Sequence, residues 1–232
     1  MKYYTFFASI LMLLSSLVAV QAQTCLGVSI KENSGYEMVT YNAKGKSQGT
    51  IRVKYNKVST SNGQTIVDVE QETMNDKGKS ELKSTYQLKC SGNEILIDMA
   101  SFMNSDQQKM FKDTEMKLTS DDLAFPSSLS EGQSLKDASL HGEGNSTGIP
   151  LSFKIDMTNR KVGAEENITV PAGSFKAHKV TSNMKITNKT VISINLDFET
   201  VSYRADGVMA DVKTETYRKG KLVSYTELSK IF

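Results

Sequence analysis

Two pairs of adjacent acids, Asp121-Asp122 and Glu165-Glu166, are the residues of this sequence whose types could support acid–base chemistry. Hydrolysis of a glycosidic bond needs two carboxylates that face each other across a cleft. Neighbouring residues of a β-strand point to opposite faces of a sheet, so neither pair supplies both groups as it stands. A glycan hydrolase would require the fold to bring distant acids such as Asp98, Asp121 and Glu166 to within about 5 to 9 Å of one another. Otherwise the acids belong to solvated turns.

The two histidines, His141 and His178, are the other candidates for proton transfer. His141 lies in a glycine-rich stretch, and His178 lies in a β-prone stretch beside lysines, as surface histidines often do. No serine or cysteine occurs in a nucleophile motif such as Gly-x-Ser-x-Gly. Two cysteines with two histidines offer no zinc site of the usual kind. The residue types therefore favour a non-catalytic protein, and we expect no cofactor.

Residues 1–22 are predicted to be a signal peptide, which directs export. A single lysine, Lys2, precedes an apolar run from Phe6 to Val20, and small residues lead to a cleavage position after Ala22. A membrane anchor is the alternative, but the run is shorter than the roughly 20 apolar residues that span a bilayer. We expect residues 23–232 to form a single exported β domain, located in the periplasm or outside the cell, with no transmembrane segment after cleavage.

The residues before Cys25 and the overall charge restrict the partners of this domain. Gln23 and Thr24 stand where the attachment signal of a bacterial lipoprotein needs small residues, so we expect no lipid anchor on Cys25. The whole sequence has 28 basic and 26 acidic residues, and cleavage removes one lysine, which leaves the domain close to neutral. Basic residues are not concentrated among aromatics, so nucleic acid is disfavoured as a partner.

Cys25 and Cys90 are predicted to form a disulfide, because export places both in an oxidising compartment. Cys90 shares one face of an alternating run with Leu82, Tyr86 and Leu88, so its sulfur is expected to point towards the core. The bond would tie the N-terminal segment to this strand and close a loop of about 65 residues, worth roughly 4 kcal/mol on the chain-entropy estimate. Two unpaired thiols are the alternative.

Alternation of apolar and polar residues recurs along most of the chain, with the period of two that is typical of half-buried strands. Turn sequences such as Asn62-Gly63 separate these runs. The runs include Ile51–Tyr55, Leu82–Cys90, Leu151–Met157 and Thr190–Tyr203. The pattern predicts a mainly β fold, a large antiparallel meander curled into an open half-barrel or a two-layer sandwich.

The middle of the chain interrupts this alternation. Between Ala100 and Asp122 the period changes, and we predict one short helix capped by Ser105. Proline after Phe125 predicts an irregular connection, and the glycines of the run from His141 to Asn145 predict a loop. The methionines from Met99 to Met116 would either line an adaptable apolar groove or fill an ordinary core.

A tight turn at Pro171, Ala172, Gly173 and Phe175 joins two β-prone arms in a predicted hairpin. Proline presets φ, and glycine admits the positive φ that such a turn needs. At this turn the chain resembles a family of exported bacterial proteins of unknown function, found notably in Bacteroidota and sometimes labelled TapB-like. Other similar stretches are Tyr86–Cys90, Pro126, Gly132-Gln133, Asn159–Val162, Lys213–Tyr217 and Gly220–Tyr225.

The resemblance implies an exported β fold, similar in outline to half-barrel lipoproteins, and it implies no activity. The chain departs from the family pattern at Ser202-Tyr203, where relatives tend to have a tryptophan before the tyrosine. The long, continuous strand pattern, the predicted export and the absence of catalytic motifs lead us to expect a protein that binds an apolar, lipid-like ligand or an envelope protein on the concave face of its curved sheet. A hydrolase of envelope glycans and a purely structural interaction module are the alternatives.

Overall fold

The structure is a computed structural model, and it describes residues 24–25, 27–91, 93–99, 117–146, 148–190 and 192–232. The predicted signal peptide and the predicted helix around Ser105 lie outside these residues. Two short strands, β1 (Thr24–Cys25) and β2 (Val28–Ser29), pair with each other, and the other strands of the described residues form one antiparallel sheet of thirteen. The predicted antiparallel β fold is confirmed.

The first part of the large sheet is a five-stranded meander in which each strand pairs with the one before it. Asn62 and Gly63, the predicted hairpin turn, both have positive φ, at 51° and 75°, as the two-residue turn between long strands requires. The five strands are β3 (Gly35–Asn42), β4 (Ser47–Ser61), β5 (Gln64–Asn75), β6 (Ser80–Ser91) and β7 (Glu94–Asp98).

The last part of the chain is a second meander, and its final strand pairs with β3, so that the two meanders form one continuous sheet. Its strands are β10 (Ala138–Ser146), β11 (Ile149–Val170), β12 (Gly173–Lys189), β13 (Ser193–Ala205), β14 (Asp211–Arg218) and β15 (Lys221–Ile231).

A short segment between the meanders connects the two edges of the sheet. Its first strand, β8 (Lys117–Ser120), pairs with β10, and its second, β9 (Asp122–Pro126), pairs with β7 at the opposite edge. Asp121 alone separates them, and its N–H donates to the carbonyl of Ser139 in β10 at 2.8 Å. The sheet therefore curls into a nearly closed barrel, so the barrel-like alternative is the observed one rather than the sandwich.

One sequence expectation for this region is wrong, because the glycine-rich run from His141 to Asn145 is not a loop but part of β10. The irregular connection expected after Phe125 is confirmed, since β9 ends at Pro126 and residues 127–137 form no strand apart from an isolated bridge at Ser134. Gly142 is buried and pairs with Leu118 on one side and Phe153 on the other, and a glycine inside a strand often marks close approach of its neighbours. Pro126 is the last residue of its strand, where a missing N–H is tolerated.

Among the described residues, buried apolar side chains form four clusters, and partly buried residues such as Phe125 and Tyr36 pack against two of them each. The cluster at β1 and β4–β7 contains the disulfide between Cys25 and Cys90, whose Cα atoms lie 5.6 Å apart. A second cluster lies under β9–β11, a third under β12–β15, and a small fourth joins Leu135, Val162 and Val180. Within the described residues, no helix is long and apolar enough to cross a membrane.

Candidate functional site

A cavity of about 390 Å³ lies inside the barrel, and residues from all four apolar clusters or packed against them contribute to its wall. This volume is within the range of small-molecule sites, roughly 300 to 1,000 Å³. Period-two alternation explains the lining, since every second residue of a strand faces the barrel axis. The inward side chains of the described strands therefore leave part of the interior unfilled.

One wall of the cavity is apolar and comes from β3, β4, β6, β7 and β9. Val53 is buried and packs with Ile51 and Tyr86 in the first cluster, while Leu123 belongs to the second. Met157 and Met184, which pair across β11 and β12, continue this surface. Unbranched thioether side chains adapt to differently shaped apolar groups. The wall is suited to contact with hydrocarbon.

The opposite wall carries hydroxyl groups from β12 to β15. Ser182 and Thr200 hydrogen-bond through their hydroxyls at 2.6 Å, and Ser202 and Thr214 do so at 3.2 Å. Thr216 on β14 extends the same face. Hydroxyl groups both donate and accept hydrogen bonds, so this wall can form hydrogen bonds with polar groups of a ligand without adding charge. The cavity is therefore amphipathic across its width.

Arg204 on β13 is a buried charged residue in the cavity wall, with a relative exposure of 7%. Its Nη1 donates to Asp211 Oδ1 at 3.0 Å. Its Nη2 is buried and has no hydrogen-bond partner among the described residues. A buried guanidinium with an unpaired donor is costly, because that donor has lost its water without replacement.

Arg160 on β11, with a relative exposure of 3%, also lines the cavity. Its Nη1 donates to the carbonyls of Ala124 at 3.1 Å and Lys136 at 2.6 Å. The pKa of Arg160 is lowered to about 10, chiefly by burial; the charge of Asp211 opposes this change and the charge of Arg204 adds to it. The side chain remains a cation at neutral pH.

Both guanidinium groups lie against the ring of Phe125. The Cζ atom of Arg204 is 3.9 Å from the ring centroid, and that of Arg160 is 5.0 Å from it. Cations within about 6 Å of an aromatic ring face are stabilised by its quadrupole. Phe125 therefore helps to hold two like charges at one end of the cavity.

Tyrosines at the apolar wall are protonated well into the alkaline range. Burial raises the pKa of Tyr36 well above its usual value, and Tyr86 and Tyr55 add to the effect. Burial alone raises the pKa of Tyr86. Neither tyrosine carries charge at neutral pH, so this wall presents neutral groups to the cavity.

The acids proposed for glycan hydrolysis do not assemble. Ser120 Oγ donates to Asp98 Oδ1, and Ser139 Oγ donates to Asp121 Oδ2, each at 2.7 Å. Ser139 pairs with Asp156, and Glu166 lies ten residues farther along β11. At about 3.3 Å per residue that is roughly 30 Å. The three carboxylates therefore do not face one another across a cleft.

The histidines are also separate. His141 Nε2 lies 3.2 Å from Glu143 Oε1 on β10, while His178 Nδ1 contacts the carbonyl of Gly163 at 3.3 Å on the far arm of the β11–β12 hairpin. Among the described residues, no three histidines, cysteines or acids are grouped so as to hold a metal ion.

The turn at Pro171, Ala172, Gly173 and Phe175 closes a two-residue hairpin loop in which Val170 pairs with Gly173. The N–H of Ala172 donates to the carbonyl of Leu228 at 3.1 Å. The turn also packs on the third cluster together with the fully buried Val212 and Leu228. These contacts attach the hairpin tip to β14 and β15, away from the arginines; a functional role for the turn stays a prediction.

Comparison with known proteins identifies the family. The profile of the DUF3108-like family matches residues 31–228, which is most of the chain and all of the cavity wall. The chain belongs to the DUF3108-like family. The narrower TapB-like label stays a prediction. A search of curated proteins found none that matches this DUF3108-like chain.

Two solved structures share the fold of this DUF3108-like protein. One is an inferred exported protein with a YmcC-like fold from Bacteroides fragilis, 20% identical, with a TM-score of 0.68 over 87% of this chain and 96% of that chain. The other is an inferred lipoprotein from Parabacteroides distasonis, 21% identical, with a TM-score of 0.68 over 90% of this chain and 100% of that chain. At this identity the likeness concerns the fold.

The sequence analysis did not identify Arg160 or Arg204 as residues of the cavity wall. Arg204 could have been found from the alternation. It lies on the same face of the strand as Leu196 and Phe198, where an inward charged side chain is unexpected. Arg160 could not be found in this way. The pairing of β11 with β12 shifts register between Thr158 and Lys161, where Asn159 has a φ of 53°. Such a bulge redirects the side chain that follows it.

Proposed function

We propose that this DUF3108-like protein is an exported, non-catalytic binding protein that holds an apolar, lipid-like ligand inside its barrel. The cavity of about 390 Å³ beside the apolar clusters is the observation that carries the proposal, since protein interiors normally contain few voids larger than a water molecule. Adaptable methionines on one wall and hydroxyls on the other suit a ligand that is mainly hydrocarbon with some polar character.

Export of the protein is supported by the signal-peptide pattern of residues 1–22 and by the names of its two structural neighbours. In the structure Cys25 is bonded to Cys90. A sulfur in a disulfide cannot also form the thioether of a lipid anchor, so this bond supports export without an anchor on Cys25. Denaturing mass spectrometry of the protein from its own envelope fraction tests both points, because cleavage after Ala22 without added lipid gives a unique mass.

Ligand binding is tested with the neutral fluorescent probe N-phenylnaphthylamine. The probe is expected to bind wild-type protein with enhanced emission. In Thr216→Phe an aromatic side chain enters the cavity from β14, and the affinity should fall about tenfold or more. Native mass spectrometry of the gently purified protein should also show extra mass that is lost on denaturation.

The matched control is Thr181→Phe, which adds the same side chain to an exposed position of β12, next to the inward Ser182. Probe affinity should match the wild type. If Thr181→Phe and Thr216→Phe reduce binding equally, or if the probe does not bind at all, the cavity is not the binding site and the proposal fails.

A further inference from the structure

Arg204 combines three properties that are rarely found together in a side chain with only a structural role. It lines the cavity, it is more than nine-tenths buried, and its Nη2 has no hydrogen-bond partner among the described residues. Asp211 accepts its hydrogen bond from Nη1 and not from Nη2. Native proteins pair almost all buried polar groups, so this unused N–H group indicates a partner that is not part of the chain. The partner must be an acceptor, since guanidinium groups only donate.

The charges around Arg204 define the charge of that acceptor. The charged side chains in the cavity wall are Arg160, Arg204 and Asp211, which together carry one net positive charge. The charge of Asp137 also raises the pKa of Arg160. Asp137 does not line the cavity, however, and its Oδ1 accepts a hydrogen bond from the N–H of Asn159. One monoanion neutralises this end of the cavity. A phosphate monoester, which carries a charge of about −1.5 to −2 at neutral pH, would leave negative charge unpaired.

Hydroxyl groups lie beside Arg204 on the same face. Ser202 precedes it by two residues on β13 and therefore points to the same side of the sheet. Its hydroxyl and that of Thr214 form a pair at 3.2 Å, and together the two groups retain a further proton to donate. A carboxylate has two oxygens, so one can accept from Arg204 while the other accepts from this pair.

Away from the arginines the wall becomes apolar, with Met38, Ile51, Val53 and Ile97 among its residues. We infer that the ligand of this cavity is a carboxylic acid with a hydrocarbon tail, bound with its carboxylate at Arg204 and its tail along the apolar wall. This inference rests on the proposed function and adds the chemical class of the ligand. It also gives Arg204 Nη2 the acceptor that the described residues do not supply.

Three amphiphiles with the same chain test the inference on the wild-type protein: laurate, lauryl alcohol and lauryltrimethylammonium, each titrated below its micelle-forming concentration. Charge-assisted hydrogen bonds are stronger than neutral ones, so laurate should bind about tenfold to a hundredfold more tightly than the alcohol. The cation should bind most weakly, because two guanidinium groups face it.

Variants locate the preference. Arg204→Lys keeps a cation near Asp211 but removes the second guanidinium nitrogen, and Arg204→Met removes the charge. Both should lose most of the preference for laurate while binding of lauryl alcohol is retained. The control is Arg218→Met, which removes an exposed arginine at the end of β14 and should leave the preference intact.

The outcomes separate the two proposals. A preference for laurate that depends on Arg204 supports the carboxylate site. Equal binding of laurate and the alcohol, or a preference that Arg204→Lys and Arg218→Met reduce alike, overturns the carboxylate site but leaves a binding protein. Failure of all three amphiphiles to bind overturns both proposals. The wild-type comparison is decisive even if Arg204→Met does not fold.

Discussion

Arg204 Nη1 and Asp211 Oδ1 lie 3.0 Å apart at the point where the pairing of β13 with β14 shifts register. The shift brings the two side chains together across the turn at Gly207, with the arginine buried and the aspartate about one-fifth exposed. A buried cation whose other face rests on Phe125 depends strongly on its single carboxylate partner. This pair therefore links the stability of the barrel to its candidate site.

Asp211→Ala should lower the free energy of unfolding by about 3 kcal/mol, because removal of one partner leaves the other buried and uncompensated. The measurement is urea denaturation followed by circular dichroism. The double variant Arg204→Met/Asp211→Ala should recover part of the loss, since it removes both charges. If the two substitutions lower the free energy of unfolding additively, so that the double variant loses the sum of the two single losses, the residues are not coupled.

Two glycines of the β11–β12 hairpin should respond oppositely to the same substitution. Gly173 has a φ of +138°, a value that L side chains rarely adopt, and a Cβ there would meet only the ring of Phe175 at 3.8 Å. Gly173→Ala should therefore cost about 1 to 2 kcal/mol of stability through backbone strain alone. Thermal unfolding measures the loss.

Gly163→Ala is the matched comparison in the same hairpin. Gly163 has no positive φ, and an added Cβ would lie 3.5 Å from the Cβ of Lys179, an ordinary contact. The substitution should be neutral or stabilise by up to about 1 kcal/mol, because alanine restricts the unfolded chain. If Gly163→Ala destabilises as much as Gly173→Ala, the turn geometry is not the cause.

The disulfide should contribute substantially to stability. Cys25 and Cys90 are 65 residues apart and both are buried in the first cluster. Cys90→Ser should lower the Tm, with a loss of about 4 kcal/mol on the chain-entropy estimate, while the β circular-dichroism signal persists. Reduction of the wild type should reproduce the loss and should have no effect on the variant. An unchanged melting curve would refute the contribution.

The sequence predicts the strands far better than it predicts the site, and the reason is physical. Alternation along runs such as Leu82–Cys90 identifies the buried face, because the period of a strand is two. The same alternation does not reveal whether inward side chains fill the volume, so the cavity is not predictable from it. Ile194 shows a related limit: it continues an apolar face, but it lies near the tip of the β12–β13 hairpin and is exposed.

Closure of the sheet is unpredictable for a different reason. The pairing of β8 with one edge and of β9 with the other depends on long-range contacts and not on local propensity. The glycines around His141 are a local signal that favours a loop. Tertiary pairing overrides this signal, as it commonly overrides strand propensity.

Buried tyrosines should make the protein unstable at high pH. Burial raises the pKa of Tyr86 to about 12, whereas an exposed tyrosine titrates near 10.0. Below pH 10 the phenol is protonated in both the folded and the unfolded state, and its contribution to stability is complete. Above pH 10 the unfolded state loses the proton that the folded state keeps, so the free energy of unfolding falls as pH rises towards 12, by up to about 1.4 kcal/mol per pH unit for each such group.

Tyr86→Phe removes one of these protons and should make the alkaline decline less steep by the contribution of one tyrosine. Urea denaturation of the wild type and the variant at a series of pH values, from about 8 to about 12, measures the two slopes. Tyr36, whose pKa is also raised by burial, should maintain part of the decline in the variant. Parallel slopes for the two proteins would show that Tyr86 titrates alike in the folded and unfolded states, and hence that the apolar wall of the cavity is open to water.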